Sequence, residues 1–219
     1  MMKILRTIAG LAFLGLLSAA TAAPAFAATG IDAYTAEDRA TIERIETYMN
    51  GITSMQSRFV QRAANGGQAT GSLYIERPGK MRVEYDPPVP VLIVSTGVLL
   101  ILFDAELGQT THLPIEASPA SVLIRKTVSL GKDVEVRGLA REDGMVRLTL
   151  GDEGSLGMGE GQITLDFLEG PLDLRSWTVV DGEGKATKVS LLDPRYGVNL
   201  DPVLFKFVDP TADKNRGDR

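Results

Sequence analysis

The chain has 219 residues, a formal net charge of −5 and no cysteine. An acidic protein is a poor partner for nucleic acids and for anionic lipid headgroups, because like charges repel. Without cysteine the chain has no disulfide, no cysteine nucleophile and no cysteine to carry a lipid at a cleavage site, so we expect a hydrophobic core to hold the fold.

The first residues have the pattern of a secretory signal peptide. Lys3 and Arg6 precede an apolar run that is too short to favour a permanent membrane span. Ala25-Phe26-Ala27 then fits the small-x-small cleavage pattern. We predict a cleaved signal peptide at 1–27, with cleavage after Ala23 as a second candidate and a retained N-terminal anchor as the alternative.

The mature chain, 28–219, is long enough for a single domain, and no internal repeat or low-complexity linker divides it. Its net charge is −7, because removal of Lys3 and Arg6 takes two positive charges from −5. We therefore expect one soluble, exported domain that binds no nucleic acid.

The mature chain opens with a predicted amphipathic helix. Thr35 is a suitable N-cap, and Asp38 follows three positions later, as in a capping box. Gly51 is expected to end or loosen the helix. One face must be buried, and its apolar residues at helical spacing are Ile42, Ile45, Tyr48, Met49 and Ile52.

After this helix the apolar period changes from 3.6 to 2, which is typical of strands. A short helix is expected in the middle of the chain, with Ser118 as cap and Pro119 in its first turn. About eleven sequential strands with short turns predict a mainly β (α+β) fold, with an antiparallel sheet curled into a barrel or an open half-barrel. The expected strands lie at 55–63, 70–76, 81–85, 91–94, 98–103, 109–113, 133–138, 145–150, 162–168, 174–180, 186–192 and 203–208.

Arg77 occupies an unexpected place in this pattern. Gly71, Leu73 and Ile75 share one face of a predicted strand, and alternation puts Arg77 on the same apolar side. Its guanidinium is always charged. Either Arg77 reaches water from the turn that Pro78-Gly79 begins, or it has a partner on the inner face.

The stretch "VLIVSTGVLLILF", residues 91–103, is apolar at both parities, so both faces of these strands should be covered. They either form an ordinary buried pair or expose one face to a cavity for an apolar ligand, with the first helix as a movable lid. The methionines that suit such a lining, because Met adapts to irregular guests, are Met49, Met55, Met81 and Met145.

The sequence gives little support to catalysis. His112 is the only histidine, and we expect it at the surface or at an edge. The glycine-rich segment 151–161 carries acids and lacks the Lys-Ser/Thr ending of a phosphate loop, so we expect a flexible hairpin, with a weak calcium site as the alternative. We predict no enzyme activity, no cofactor and no metal.

Several short motifs follow one another in an order that resembles the outer-membrane lipoprotein carrier protein family, LolA. The resemblance covers nearly the whole mature chain, and the order of the motifs carries it. They are Phe59-Val60-Gln61, Gly71-Ser72-Leu73, Arg77-Pro78-Gly79, Tyr85, Pro87-Pro88, "IVSTG" at 93–97, Phe103-Asp104, "QTT" at 109–111, Pro119, Leu123 and "LFKFVDP" at 204–210.

The resemblance implies an incomplete β-barrel with a helical lid over a hydrophobic cavity. It also implies a periplasmic carrier that accepts the acyl chains of lipoproteins from an inner-membrane Lol ABC transporter complex. The acceptor would be the outer-membrane receptor LolB or the outer membrane itself, and we expect a monomer. The alternatives are a generic lipid or lipoprotein carrier or envelope-stress sensor on the same scaffold, and a secreted hydrolase.

The resemblance also implies roles for single residues. Arg77 matches the arginine that latches the lid, and its donors would bind carbonyls at the end of the lid helix. The chain departs from the family at Thr96, where an Asp is frequent, and at Ile101 and Phe103, where Trp and Tyr are frequent. The residues expected to line the acyl-chain cavity are Ile45, Met49, Phe59, Leu73, Ile75, Met81, Val83, Ile101, Phe103 and Leu123.

Overall fold

The structure is a computed structural model that describes residues 30–115, 118–151 and 161–209. The predicted signal peptide and nearly all of the predicted 151–161 hairpin lie outside these residues. Helix α1 spans Ala36–Gly51, and short 3-10 helices lie at Gly30–Ala33, Pro119–Ile124 and Pro202–Phe205. The strands are β1 Ser54–Ala63, β2 Gln68–Glu76, β3 Lys80–Tyr85, β4 Val91–Thr96, β5 Leu99–Asp104, β6 Gln109–Pro114, β7 Glu135–Glu142, β8 Met145–Gly151, β9 Gln162–Glu169, β10 Leu172–Val180 and β11 Ala186–Tyr196.

All eleven strands belong to one sheet in the order β6-β5-β4-β3-β2-β1-β11-β10-β9-β8-β7. Every neighbouring pair is antiparallel. The chain runs outward from β1 to one edge at β6, crosses through the 3-10 helix Pro119–Ile124 to the other edge at β7, and returns to β11 beside β1. The sheet is therefore not closed, which confirms the predicted incomplete barrel. Of the two predicted helical segments, the first is the α-helix α1 and the second is the 3-10 helix Pro119–Ile124.

Helix α1 begins where the sequence predicts. The Thr35 hydroxyl accepts a hydrogen bond from the Asp38 N–H at 3.1 Å and donates to the Asp38 carboxylate at 2.7 Å. Its apolar stripe, which includes Ile42, Ile45 and Met49, is buried against one face of the sheet, which we call the inner face. Among the described residues, no helix is long and apolar enough to cross a membrane.

The opposite, outer face of the sheet is covered in part by the end of the chain. Residues 201–209, which we call the C-terminal strap, form the 3-10 helix Pro202–Phe205 and an extended segment. Arg82 of β3 donates to the Leu204 carbonyl at 3.1 Å, and Phe207 contacts Phe103 of β5 with ring centroids 5.9 Å apart. The predicted last strand at 203–208 is therefore wrong, because these residues pack onto the sheet instead of extending it.

Candidate ligand-binding cavity

An apolar cavity of about 240 Å³ lies on the inner face. Tyr85 forms part of its wall and packs edge-to-face on Phe59, with centroids 5.4 Å apart. The Tyr85 hydroxyl donates to the Gln61 side chain at 2.7 Å, and burial raises the pKa of Tyr85. The lining residues are Phe59, Gln61, Leu73, Met81, Val83, Tyr85, Ile93, Leu100, Ser118, Ala120, Trp177, Val179, Thr187 and Val189.

Gly71 makes room for the Phe59 wall. A Cβ on Gly71 would lie 2.7 Å from the Phe59 ring and 2.2 Å from the Glu84 carbonyl oxygen. Only glycine therefore lets the aromatic ring lie across β2 at this point. The glycine of the "G-x-L" motif thus shapes the cavity directly.

The structure brings four of the ten predicted lining residues together at the cavity: Phe59, Leu73, Met81 and Val83. Four others are buried in the adjoining core, to which α1 contributes Ile45 and Met49, β2 contributes Ile75, and the 3-10 helix Pro119–Ile124 contributes Leu123. They pack beside the cavity and are not part of its wall.

The placement of Ile101 and Phe103 is corrected by the structure. In β5 the inner-facing residue is Leu100, which lines the cavity and pairs with Ser95, whereas Ile101 pairs with Val94 on the outer face. Phe103 shares the parity of Ile101 and contacts the C-terminal strap. The strap explains why both parities of this stretch are apolar. Because both are apolar, alternation does not decide which one faces the cavity, and the resemblance pointed to Ile101 and Phe103, which lie on the outer face.

The sequence analysis did not predict the residues that form the opposite wall of the cavity. Trp177 and Val179 of β10 and Val189 of β11 line it. Trp177 is the only tryptophan of the chain, and it alternates with Val179 on one face of a predicted strand. That alternation was a usable signal, whereas the closeness of β10 to β1 and β2 depends on the long-range pairing of β1 with β11.

Arg77 follows β2 directly and donates to backbone carbonyls of two different segments. In α1 and its cap the acceptors are Met49 and Ile52, and Ile52 accepts at 3.4 Å. After the 3-10 helix Pro119–Ile124 they are Arg125, at 2.6 Å, and Lys126, at 3.5 Å. Burial lowers the pKa of Arg77, but an arginine so placed still carries its charge.

The neighbouring turn reinforces this junction. The Gly79 N–H donates to the Ile124 carbonyl at 2.7 Å. Gly79 has φ +79°, and a Cβ there would lie 2.8 Å from the Cα of Gly97, so this position requires glycine. The turn after β2 therefore fixes where the Arg77 guanidinium points.

Further polar contacts join α1 to the segment that follows the 3-10 helix. The Asn50 amide donates to the Val128 carbonyl at 2.8 Å and accepts from the Val128 N–H at 2.9 Å. The Glu46 carboxylate accepts from the Leu130 N–H at 2.6 Å. Helix α1 and residues 125–130 thus cover the inner face as one connected unit.

The N-terminal part of α1 is held by side chains. Arg141 of β7 donates to the Asp38 carboxylate at 2.6 Å, to the Thr41 hydroxyl at 2.7 Å and to the Glu169 carboxylate at 3.2 Å. The hydrogen bond from Arg141 holds the pKa of Asp38 below its usual value, and the same bond raises the pKa of Arg141.

Within the described ranges, no group of three or more histidine, aspartate or glutamate side chains gathers where it could hold a metal ion. His112 is exposed on the edge strand β6. The chemistry that the described inner face offers is burial of apolar groups beside a helix that polar contacts hold in place.

Comparison with known proteins identifies the family of the chain. A sequence model described as "Outer membrane lipoprotein carrier protein LolA" matches residues 50–208. A relative from Methylococcus capsulatus named "Outer-membrane lipoprotein carrier protein" is 28% identical, and the match covers 77% of this chain and 84% of the relative. A relative of the same name from Alkalilimnicola ehrlichii is 29% identical, with 80% and 83% covered.

Among solved structures, a LolA superfamily protein from Nitrosomonas europaea aligns with a TM-score of 0.43 and 12% identity, covering 75% of this chain and 97% of that one. The family match spans well over half of the sequence. The chain therefore belongs to the LolA family of outer-membrane lipoprotein carrier proteins.

Proposed function

We propose that this protein is a periplasmic carrier for outer-membrane lipoproteins. It would be exported by the signal peptide at 1–27, accept the acyl chains of a lipoprotein from an inner-membrane ABC transporter complex, and deliver them to a LolB-type receptor or to the outer membrane itself. Its relatives are named lipoprotein carriers. The observation that carries the proposal is the apolar cavity beside a helix held by polar contacts.

The energetics of acyl chains explain why a carrier is needed. Each methylene removed from water gains about 0.8 kcal/mol, so free chains in an aqueous compartment are strongly unfavourable. A carrier must provide much of this gain and still release its cargo. A binding site that the protein's own apolar side chains partly occupy when no cargo is bound meets both needs, because these side chains compete with the acyl chains.

The cavity is too small for the acyl chains of a lipoprotein unless the protein changes conformation. An apolar cavity of about 150 Å³ holds one benzene, so the 240 Å³ found here accommodates only part of one acyl chain. The adjoining inner face is filled by α1, through Ile45 and Met49. We infer that α1 is the lid, and that it moves away together with residues 125–130 when cargo enters.

Arg77 would act as the latch of this lid. Its guanidinium joins carbonyls of α1 and of the segment after the 3-10 helix, and breaking these contacts leaves several backbone acceptors without their donor. The latch therefore favours the closed state and lowers the net affinity for acyl chains, which promotes release.

The substitution Arg77→Leu tests this role. We expect the variant to fold and to load lipoprotein, but to release it to acceptor membranes at least tenfold more slowly, because the lid no longer competes for closure. Arg58→Leu is the matched control, since Arg58 lies on the outer face and pairs with Asp86. Hand-over by Arg77→Leu at the normal rate would show that Arg77 is not a latch.

Mass spectrometry of material bound to the purified protein tests the cargo. A triacylated lipoprotein is expected. Free lipid without lipoprotein would contradict the proposal and support a generic lipid carrier or sensor on the same scaffold. Turnover of a substrate would identify a hydrolase instead.

A further inference from the structure

The apolar stripe of α1 contains one hydroxyl group, which belongs to Tyr48. The other four residues of the stripe are Ile42, Ile45, Met49 and Ile52, and none of them has a hydroxyl. A phenol on a packed face is unfavourable unless its hydroxyl finds hydrogen-bond partners. The partners of Tyr48 therefore show which part of the sheet holds this side of the helix.

The Tyr48 hydroxyl takes the place of a strand at the point where β10 and β11 part. Their ladder ends at the pair Ser176–Ser190, and Leu174 lies beyond that pair. The Leu174 N–H donates to the Tyr48 oxygen at 3.0 Å. A helix side chain thus provides the acceptor for a strand N–H.

The same hydroxyl donates its own proton to the sheet. Its acceptors are the Tyr196 oxygen of β11, at 2.9 Å, and the Asp173 carboxylate of β10, at 3.2 Å. Tyr196 in turn donates to Asp173 at 3.2 Å, so the carboxylate ends this chain of hydrogen bonds. We call the hydrogen bonds of Tyr48 with Leu174, Tyr196 and Asp173 the seam contacts.

The surroundings of the seam contacts are largely apolar. The Tyr48 ring packs edge-to-face on Phe167, with centroids 5.7 Å apart. Phe167 and Leu174 are almost completely buried. Burial raises the pKa of both Tyr48 and Tyr196, so both phenols keep their protons at neutral pH.

The seam contacts and Arg77 hold α1 to different parts of the sheet. Arg77 follows β2, whereas Asp173 and Leu174 lie on β10, and the pair β1–β11 separates these two strands. Strand β10 also forms part of the cavity wall, but farther along, at Trp177. The helix is thus fixed on both sides of the β1–β11 pair, and the seam contacts themselves lie outside the cavity wall.

Movement of α1 would withdraw the Tyr48 hydroxyl from all three partners. Asp173 would keep the proton that Tyr196 donates, whereas the Leu174 N–H would lose the acceptor that it has in the closed state. A donor left unpaired in apolar surroundings is unfavourable. The seam contacts therefore favour the closed position of the helix.

We propose that Tyr48 is a second latch of the lid, which holds α1 to β10 and β11 and is released when cargo enters. This rests on the proposed function, since it requires both the cargo and the movement of α1. A protein whose binding-competent state is a small fraction of the population binds its ligand more weakly by that fraction. The second latch makes the open fraction smaller, and so it promotes release of the cargo.

The substitution Tyr48→Phe tests the second latch, because it keeps the ring and removes only the hydroxyl. The ligand is dansyl-undecanoic acid, a fluorescent fatty acid that is too large for the 240 Å³ cavity of the closed state. We expect the variant to bind it about fivefold more tightly, the effect of one hydrogen bond. Energy transfer to the dansyl group from Trp177, the only tryptophan, reports binding at the cavity.

The direction of this change separates a latch from a structural role. A residue that only stabilises the fold would lower the melting temperature when altered, without tightening the binding of a ligand. Tyr74→Phe removes a hydroxyl from the outer side of β2 and is the matched control, which should leave the affinity unchanged.

Hydrogen exchange of the Leu174 amide tests the release of the latch directly. When the fatty acid is bound, this amide should exchange about tenfold faster, because its acceptor has moved away with α1. The amides of residues 176–180, which lie in the ladder with β11, are the control and should exchange no faster.

An unchanged affinity in Tyr48→Phe would overturn the proposal and leave both the carrier function and the Arg77 latch standing. Leu174 exchange that is no faster with the fatty acid bound would also overturn it, because the seam contacts would then be intact in the loaded state. Failure of the unaltered protein to bind either the fatty acid or a lipoprotein would contradict the carrier function, and the second latch with it.

Discussion

The two ends of helix α1 are each held by an arginine, but by opposite kinds of partner. At the C-terminal end, the half-buried Arg77 donates to backbone carbonyls, and desolvation lowers its pKa. At the N-terminal end, the more exposed Arg141 pairs with the carboxylates of Asp38 and Glu169, and the Asp38 hydrogen bond raises its pKa. Carbonyls neither titrate nor attract counterions strongly, whereas exposed carboxylates do both. The contacts at the C-terminal end should therefore keep their strength at high salt and at low pH, which weaken the ion pairs at the N-terminal end.

The largest effect is expected at the C-terminal end. Asn50→Ala would remove both hydrogen bonds to Val128, whose backbone groups are buried. We expect a loss of about 1–2 kcal/mol in the free energy of unfolding, measured by urea denaturation, and the same loss at low and high salt. Asn65→Ala is the control, because Asn65 bonds only to the exposed turn that contains Gly67. A salt-dependent loss in Asn50→Ala would remove the distinction between the two ends.

A smaller effect is expected at the N-terminal end. Arg141→Ala should lower the melting temperature by about 1–2 °C at low salt, and by about half of that in about 0.5 M NaCl, because salt screens exposed ion pairs. Arg195→Ala provides the comparison, since the contact that Arg195 makes is with the uncharged Gln56. If salt leaves the Arg141→Ala effect unchanged, the carboxylates are not what holds this end.

The smallest effect concerns pH at the same end. Because Arg141 holds the pKa of Asp38 below its usual value, the folded state binds this proton less readily than the unfolded state. The stabilisation is thus present above about pH 4, the ordinary aspartate value, and is lost as the pH falls through the folded value. Asp38→Asn should melt about 1 °C below the unaltered protein at pH 7, and this gap should close below about pH 4.

Glu43→Gln removes a charge from an exposed position on the same helix and serves as the control. A gap between Asp38→Asn and the unaltered protein that does not narrow as the pH falls below about 4 would contradict the assignment, since protonation of Asp38 removes the charge that pairs with Arg141.

Local rules were enough to predict the helix start and the position of Arg77. The Thr35 cap depends on residues three positions apart. Alternation placed Arg77 on the inner side because Leu73 and Ile75 precede it on the same strand. The number of strands and the antiparallel sheet also followed from period and turn residues, which are properties of neighbours in the sequence.

The features that were not predicted depend on contacts between residues that are far apart in the sequence. Parity along β5 could not be chosen, because the strap that packs on Phe103 comes from the other end of the sequence. Nothing local distinguishes Tyr48 from the other apolar residues of α1, since its polar partners lie on β10 and β11. The cavity wall around Trp177 was missed for the same reason.

The C-terminal strap has a consequence for the order of events as the protein is made. Arg82 and Leu204, which it joins, are separated by 122 residues in the sequence. Strands β3–β5 therefore emerge from the ribosome long before the segment that covers part of their outer face. Until the strap arrives, the apolar outer face at Phe103 lacks the cover that Phe207 provides. The nascent chain is thus most prone to association in that interval, and a chain cut short before residue 201 would keep this apolar surface exposed.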